Sequence, residues 1–129
     1  MPVVSDFIKI VGDSNQRVGD GAQPRKFNFN TGGRHAPGTA YIIMMVKGMT
    51  VTANHAEVHL NDKHVGWIFN NNGGGVNEWQ TQMVHFNGSD LNNGNNQVEL
   101  RGVTYPGGGD DHFDDYFVRN VICHFHQDV

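Results

Sequence analysis

Trp67 and Trp79 bracket a segment that reads Asn70-Asn71-Asn72-Gly73-Gly74-Gly75-Val76-Asn77. A carboxamide donates and accepts hydrogen bonds at once, as a sugar hydroxyl does, and an indole offers the flat apolar surface on which a sugar ring stacks. Trp67, Asn70, Asn71, Asn72 and Trp79 are therefore the first candidates for a ligand site. The competing expectation is that both indoles anchor the loop ends from the core, at least one of them buried. A second polar stretch, Tyr105-Pro106-Gly107-Gly108-Gly109-Asp110-Asp111-His112-Phe113-Asp114-Asp115, crowds four carboxylates together. Their repulsion calls for open solvent or a counter-charge. Calcium takes about six to eight oxygen ligands in loose geometry, which makes Asp110, Asp111, Asp114 and Asp115 its candidate ligands. The spacing matches no EF-hand loop, and a solvated acidic loop is the alternative. Tyr105, Asp110, Asp111 and His112, with Arg34 and His35 from the Thr31–Gly38 stretch, would form a polar rim around a ligand if those loops are neighbours.

Eight histidines raise the question of a metal. His124 and His126 share a face if the C-terminal stretch is a strand, because alternate strand residues project together, roughly 6.6 Å apart. Cys123 then points the other way with Val121 and Phe125. Two imidazoles need a third ligand, such as His59 or His85, before zinc or copper is held. Clustered imidazoles would also add charge below about pH 6.5. Serine hydrolase, phosphate-loop and HExxH motifs are absent. Glycosidic cleavage needs two carboxylates paired in space, and Glu57 and Glu99 fall at positions expected to face solvent. A metal-dependent enzyme built on a histidine cluster is one alternative function.

The elements that must position these residues are strands. The chain has 129 residues, enough for one domain, and a formal net charge of −4. Its nine basic residues are scattered, which argues against a nucleic-acid partner. Seventeen glycines and fifteen asparagines favour many turns. Ala56-Glu57-Val58-His59-Leu60 alternates apolar and polar, Asn61-Asp62-Lys63-His64 supplies turn chemistry, and Val65, Trp67 and Phe69 then share a face, so the stretch reads as a hairpin. Further strands are expected at Phe7–Val11, Lys26–Asn30, Ala40–Met49, Trp79–Phe86, Gln97–Tyr105 and Tyr116–His126. No long stretch carries a helical stripe. About eight strands at this spacing indicate an all-β antiparallel sandwich. Tyr41–Val46 is apolar on both faces, so its outer face should lie beneath the N-terminal segment or a long loop, or form a subunit interface in a homo-oligomer. No apolar run approaches the ~20 residues of a spanning helix, and the N-terminus carries no secretory signal pattern. The single cysteine gives no intrachain disulfide, so a cytosolic location or export by a signal-independent route is the expectation.

The hairpin Ala56–Gly66, the later Leu91-Asn92-Asn93-Gly94-Asn95-Asn96-Gln97-Val98-Glu99-Leu100 and the closing Asp115–Ile122 resemble the galactose-binding-like jelly-roll domains. Such domains commonly show an A-x-V-x-L-N-G-x-x-V-G hairpin and an L-x-x-G-x-N-x-V-x-L strand entry. Asp62 stands where glycine is common, and Asn96 is an extra residue before Val98. Leu91, Gly94, Asn95, Val98 and Leu100 are read as structural, with Gly94 and Asn95 in a tight turn at positive φ and Leu91 plugging one end of the sandwich. The resemblance implies a jelly-roll β-sandwich and often a structural calcium, with Asp114 or Asp115 fixing the last loop. Because such domains occur as carbohydrate-binding modules, it implies a lectin-like, non-catalytic domain with a carbohydrate or glycoconjugate as partner. A structural module of a larger particle or secreted machine is the other alternative, since one architecture hosts several roles.

Overall fold

A computed structural model of the chain describes residues 2–19, 24–33, 36–49, 55–69, 77–104 and 113–128. Antiparallel strands form two packed sheets. The larger holds β1 (Val3–Val11), β11 (Tyr116–Asp128), β4 (Thr39–Lys47) and β7 (Gln80–Asn87) in that order, with β2 (Gln16–Val18) beside β1 on the same edge of β11. The smaller runs β3 (Arg25–Asn30), β8 (Asn95–Leu100), β5 (Ala56–Leu60), β6 (Lys63–Ile68). A two-stranded ribbon, β9 (Val103–Thr104) with β10 (Phe113–Asp114), lies apart from both. No helix of the described residues is long and apolar enough to cross a membrane.

Period-two alternation builds the core. Ala40, Ile42, Met44 and Val46 of β4 face Val58, Leu60, Val98 and Leu100 of the smaller sheet's strands, and all are buried. Val121, Cys123 and Phe125 of β11 join them, so Cys123 does point away from His124 and His126. Leu91 is buried as the end plug. The β5–β6 turn places Asn61 and Asp62 at φ 50 and 68, the positive values that a two-residue hairpin loop needs. Of Gly94 and Asn95, only Gly94 has positive φ, at 97.

Three expectations are revised. The apolar outer face of β4 is not roofed by the N-terminal segment, because β1 pairs along β11 in the plane of the sheet. Tyr41, Ile43 and Met45 are instead half-covered by neighbours: His124 stacks on Tyr41 with ring centres 4.7 Å apart, and the Asn120 amide donates to the Met45 sulfur at 3.4 Å. The expected Gln97–Tyr105 strand is two short ones, β8 and β9. Trp67 and Phe69 turn outward together and not into the core, and Val65 does not alternate with them. Val58 pairs with Gly66 and His59 with His64, so Val65 is an extra residue that bulges from the ladder. The bulge turns Gly66 and Ile68 inward and Trp67 outward.

At Gly66 the smaller sheet comes directly against Val84 of the larger one. A Cβ built there would lie 2.6 Å from Val84 Cγ1, and Val84 is a short, buried side chain whose rotation about one bond cannot withdraw it far. Gly66→Ala is therefore expected to cost about 1–3 kcal/mol by overpacking, and Val84→Ala in the same chain to recover much of it; urea unfolding of the two single variants and the double variant measures this coupling.

Burial also governs two titrating groups. It pushes the Cys123 thiol from 9.0 up to about 12 and drives the Tyr116 phenol far above its usual range. A folded-state value above the unfolded one means stability that is complete below the unfolded value and lost as pH rises toward the folded one. Unfolding free energy should thus be level up to about pH 9 and fall between there and about 12; unfolding of Cys123→Val over the same range should lack the first part of the decline, before Tyr116 begins to contribute.

Candidate functional site

The ends of the strands sort the loops. Arg25 pairs with Leu100, Ala56 with Ile68, Phe117 with Lys47, Val46 with Gln80 and Tyr116 with Val18, so these residues flank one end of the sandwich. Ile68 and Gln80, the strand residues on either side of 70–76, are thus at that end, as are Leu100 and Tyr116, on either side of the β9–β10 ribbon. Asn70, Asn71, Asn72, Tyr105, Asp110, Asp111 and His112 lie outside the described residues, as do Arg34, His35 and the side chain of Asp114. The flanks of Arg34 and His35 are held at the opposite end: the Ala36 amide donates to the His126 carbonyl at 2.7 Å, and Gly33 sits beside Gln127. The described residues therefore give no support to a rim that joins Arg34 and His35 to the Tyr105–His112 segment.

The two tryptophans take different faces. Trp67 projects from the outer face of the smaller sheet and is 41% exposed. Trp79 belongs to the outer face of the larger sheet, where Arg119 lies 4.0 Å and Lys47 4.9 Å from its ring centre. Neither indole is fully buried, contrary to the expectation that one would be. Trp79 is half-covered and spends its π-surface on two cations, which leaves Trp67 as the indole that presents a surface to solvent.

Around Trp67 the neighbours are polar on one side and apolar on the other. Glu57 is its cross-strand partner, and the Arg101 amide donates to the Glu57 carbonyl, so Arg101, just past the end of β8, continues the row of Glu57 and Trp67. The Glu57 carboxylate lies 3.3 Å from His59 Nε2, 3.9 Å from His64 Nε2 and 3.9 Å from the Arg101 guanidinium. Arg101 Nε also donates to Glu99 at 2.7 Å, and Glu99 is nearly buried despite its outward position. Both outward carboxylates thus lie beside one guanidinium. The His64 ring meets Trp67 edge-on at 4.6 Å and fixes its tilt. On the other side, Trp67, Phe69, Met83 and His85 line a cleft of about 180 Å³ over the Gly66–Val84 contact, and Phe69 and Met83 are more than half exposed. Gln82 holds this edge: its side chain accepts from the Phe69 amide and donates to the Phe69 carbonyl, both at 2.7 Å. Such an arrangement can stack a ring on the indole, accept from its hydroxyls at Glu57 and donate to them from Arg101, while His64 Nε2 is held on the Gly66 carbonyl at 2.9 Å.

Among the described residues, no three His, Cys, Asp or Glu side chains lie close enough together to hold a metal. His124 is spent on Tyr41 and Phe7, and His59 is on the other sheet. Of the carboxylates offered to calcium, Asp115 accepts from Arg17 Nε at 3.0 Å, so its described partner is a guanidinium. Phe69, His64, Met83, His85 and Arg101 were missed in the sequence. An exposed Phe just after an exposed Trp was the available signal, hidden by assigning both to the core.

Phe69 and Trp67 contribute little to the core, whereas Trp79 bridges two strands through its cations. Trp79→Ala is expected to cost about 2 kcal/mol and Trp67→Ala less than about 1; denaturant midpoints of the two variants should fall in that order, and the reverse order would contradict this placement.

No protein-family model and no curated protein matches the sequence. Solved structures do. A β-porphyranase of glycoside hydrolase family 86 from the human gut bacterium Bacteroides plebeius aligns over 97% of this chain and 21% of its own, with TM-score 0.67 and 17% identity. The family 86 enzyme BuGH86 in complex with neoagarooctaose aligns over 97% and 19%, with TM-score 0.65 and 18% identity. The chain therefore spans about a fifth of the length of these enzymes. A family 35 carbohydrate-binding module from Clostridium thermocellum aligns over 95% of this chain and 91% of its own, with TM-score 0.51 and 16% identity. The fold shared with these structures is a β-sandwich of two antiparallel sheets, of jelly-roll type.

Proposed function

We propose that this chain is a non-catalytic carbohydrate-binding module that stacks a sugar ring on Trp67. The observation that carries the reading is the outward, 41% exposed indole held edge-on by His64 in one row with Glu57 and Arg101. Indoles are usually sequestered or spent on other contacts; here the Val65 bulge turns one outward beside acceptor and donor groups suited to hydroxyls. Asn70, Asn71 and Asn72 follow this strand closely in sequence, and on this reading they and the Tyr105–His112 segment supply further polar contacts. A binding role also agrees with the commitment of Glu99 to Arg101 at 2.7 Å, which leaves Glu57 as the one carboxylate of this row open to a ligand, whereas glycosidic cleavage needs a pair. The fold is one that family 35 carbohydrate-binding modules use.

Agar- and porphyran-derived oligosaccharides are the first probes, given the family 86 neighbours, followed by a broad glycan array. Titration calorimetry is expected to give a binding signal for the natural chain, a loss of about tenfold or more for Trp67→Ala, and little change for Trp79→Ala. A folded protein that binds no glycan, or binds equally well without Trp67, contradicts the reading.

A further inference from the structure

The same outer face continues away from Trp67. Between Arg101 and Asn95 the β8 backbone advances roughly 20 Å. At its far end a cleft of about 640 Å³ opens over Asn28, Asn30, Asn61, Asn95 and Gln97, within the roughly 300–1,000 Å³ typical of small-molecule sites. Its side chains are set before any ligand arrives. Asn30 Nδ2 donates to Asn95 Oδ1 at 3.0 Å, and Gln97 Nε2 donates to Asn28 Oδ1 at 3.1 Å. Asn61 is locked on both atoms, donating to the Asp90 carbonyl and to Asn96 and accepting from the Gln97 amide. Asn96, nearly buried, uses its whole carboxamide to close the floor, donating to the Asn92 and Gly94 carbonyls and accepting from Asn61 and the Asn92 amide.

Each cross-strand carboxamide pair uses one donor and one acceptor on itself. The Asn28 and Asn95 amino groups and the Gln97 carbonyl oxygen are left over from these pairs on residues that line the cleft, an alternating set of donor and acceptor without formal charge. Alternating donors and acceptors fit vicinal hydroxyls, which are both at once, and do not favour a phosphate or carboxylate. Among the described residues, polar side chains lie between the cleft and Trp67: Lys26 opposite Glu99, Glu99 opposite His59, then Arg101 and Glu57.

We infer that this cleft is a second saccharide subsite, and that the outer face of the smaller sheet binds the interior of one extended, uncharged glycan chain running from Trp67 along β8 to the Asn28–Gln97 pair. The inference rests on the carbohydrate reading of Trp67 and adds to it the class of ligand: a polymer lying across an open face instead of a chain terminus held in a closed pocket. It gives a role to Asn95 and its neighbours, which sequence assigned to structure alone.

The test is a length series of agar oligosaccharides, disaccharide to octasaccharide, titrated into the natural chain and into Asn28→Ala/Gln97→Ala. The natural chain is expected to bind the octasaccharide about tenfold more tightly than the tetrasaccharide, and the double variant to lose that increment while holding the tetrasaccharide unchanged. The side-chain amide NMR signals of Asn28 and Asn95 in the natural chain should shift with the octasaccharide and stay still with the disaccharide. Tetrasaccharide binding that depends on Trp67 without any length increment, or with an increment that survives in the double variant, overturns the second subsite and leaves the first reading intact. No binding at any length by the natural chain overturns both.

Discussion

Two sheets can share one core only if each strand turns a single parity of side chains inward, and in this protein the parity of β6 is set by one surplus residue. Val65 bulges between His64 and Gly66, so the inward positions become Gly66 and Ile68. Gly66 then lets β6 lie against Val84 of the opposite sheet with no side chain between them. Had the alternation run unbroken from Leu60, Trp67 and Phe69 would have met the core where β6 and β7 converge, and the contact of Gly66 with Val84 would have been impossible. The exposed indole is thus a consequence of close packing. It is stabilised by its neighbours His64 and Glu57 and not by burial.

That arrangement divides the molecule's outer surface by chemistry. The larger sheet turns out Tyr41, Ile43, Met45 and Ile122, half-covered by one another, with Trp79 held under Arg119 and Lys47. The smaller sheet turns out carboxamides, a carboxylate and imidazole network, and one free aromatic face. Hydrogen-bonding groups fixed in rows on a rigid sheet need little ordering when a hydroxylated ligand docks, which limits the entropic cost of recognition.

Much of this was legible in the order of residues. Alternation alone located β5, β11 and the inward set Val121, Cys123 and Phe125, because a regular strand needs no tertiary information to define its faces. The Asn61-Asp62 turn was readable from its residue types, which tolerate positive φ. What stayed hidden depended on partners distant in sequence. A bulge is visible only when the opposing strand is known, so Val65, Trp67 and Phe69 looked like one face. Arg119 reaches Trp79 across a long sequence separation, and Asn28 meets Gln97 only because β3 and β8 pair. Asn96 looked like an insertion within a turn motif, yet its carboxamide satisfies four neighbouring polar groups that would otherwise be stranded.

The central claim is that the outward indole of β6 meets a saccharide while the indole opposite Lys47 does not. The chain holds two tryptophans, and each gives one indole N–H signal in a two-dimensional NMR spectrum. Assigned by single replacement and followed during addition of an agar octasaccharide, the Trp67 signal should move progressively to saturation and the Trp79 signal should stay in place. Movement of the Trp79 signal alone, or a still Trp67 signal in the presence of a glycan that demonstrably binds, would contradict the account.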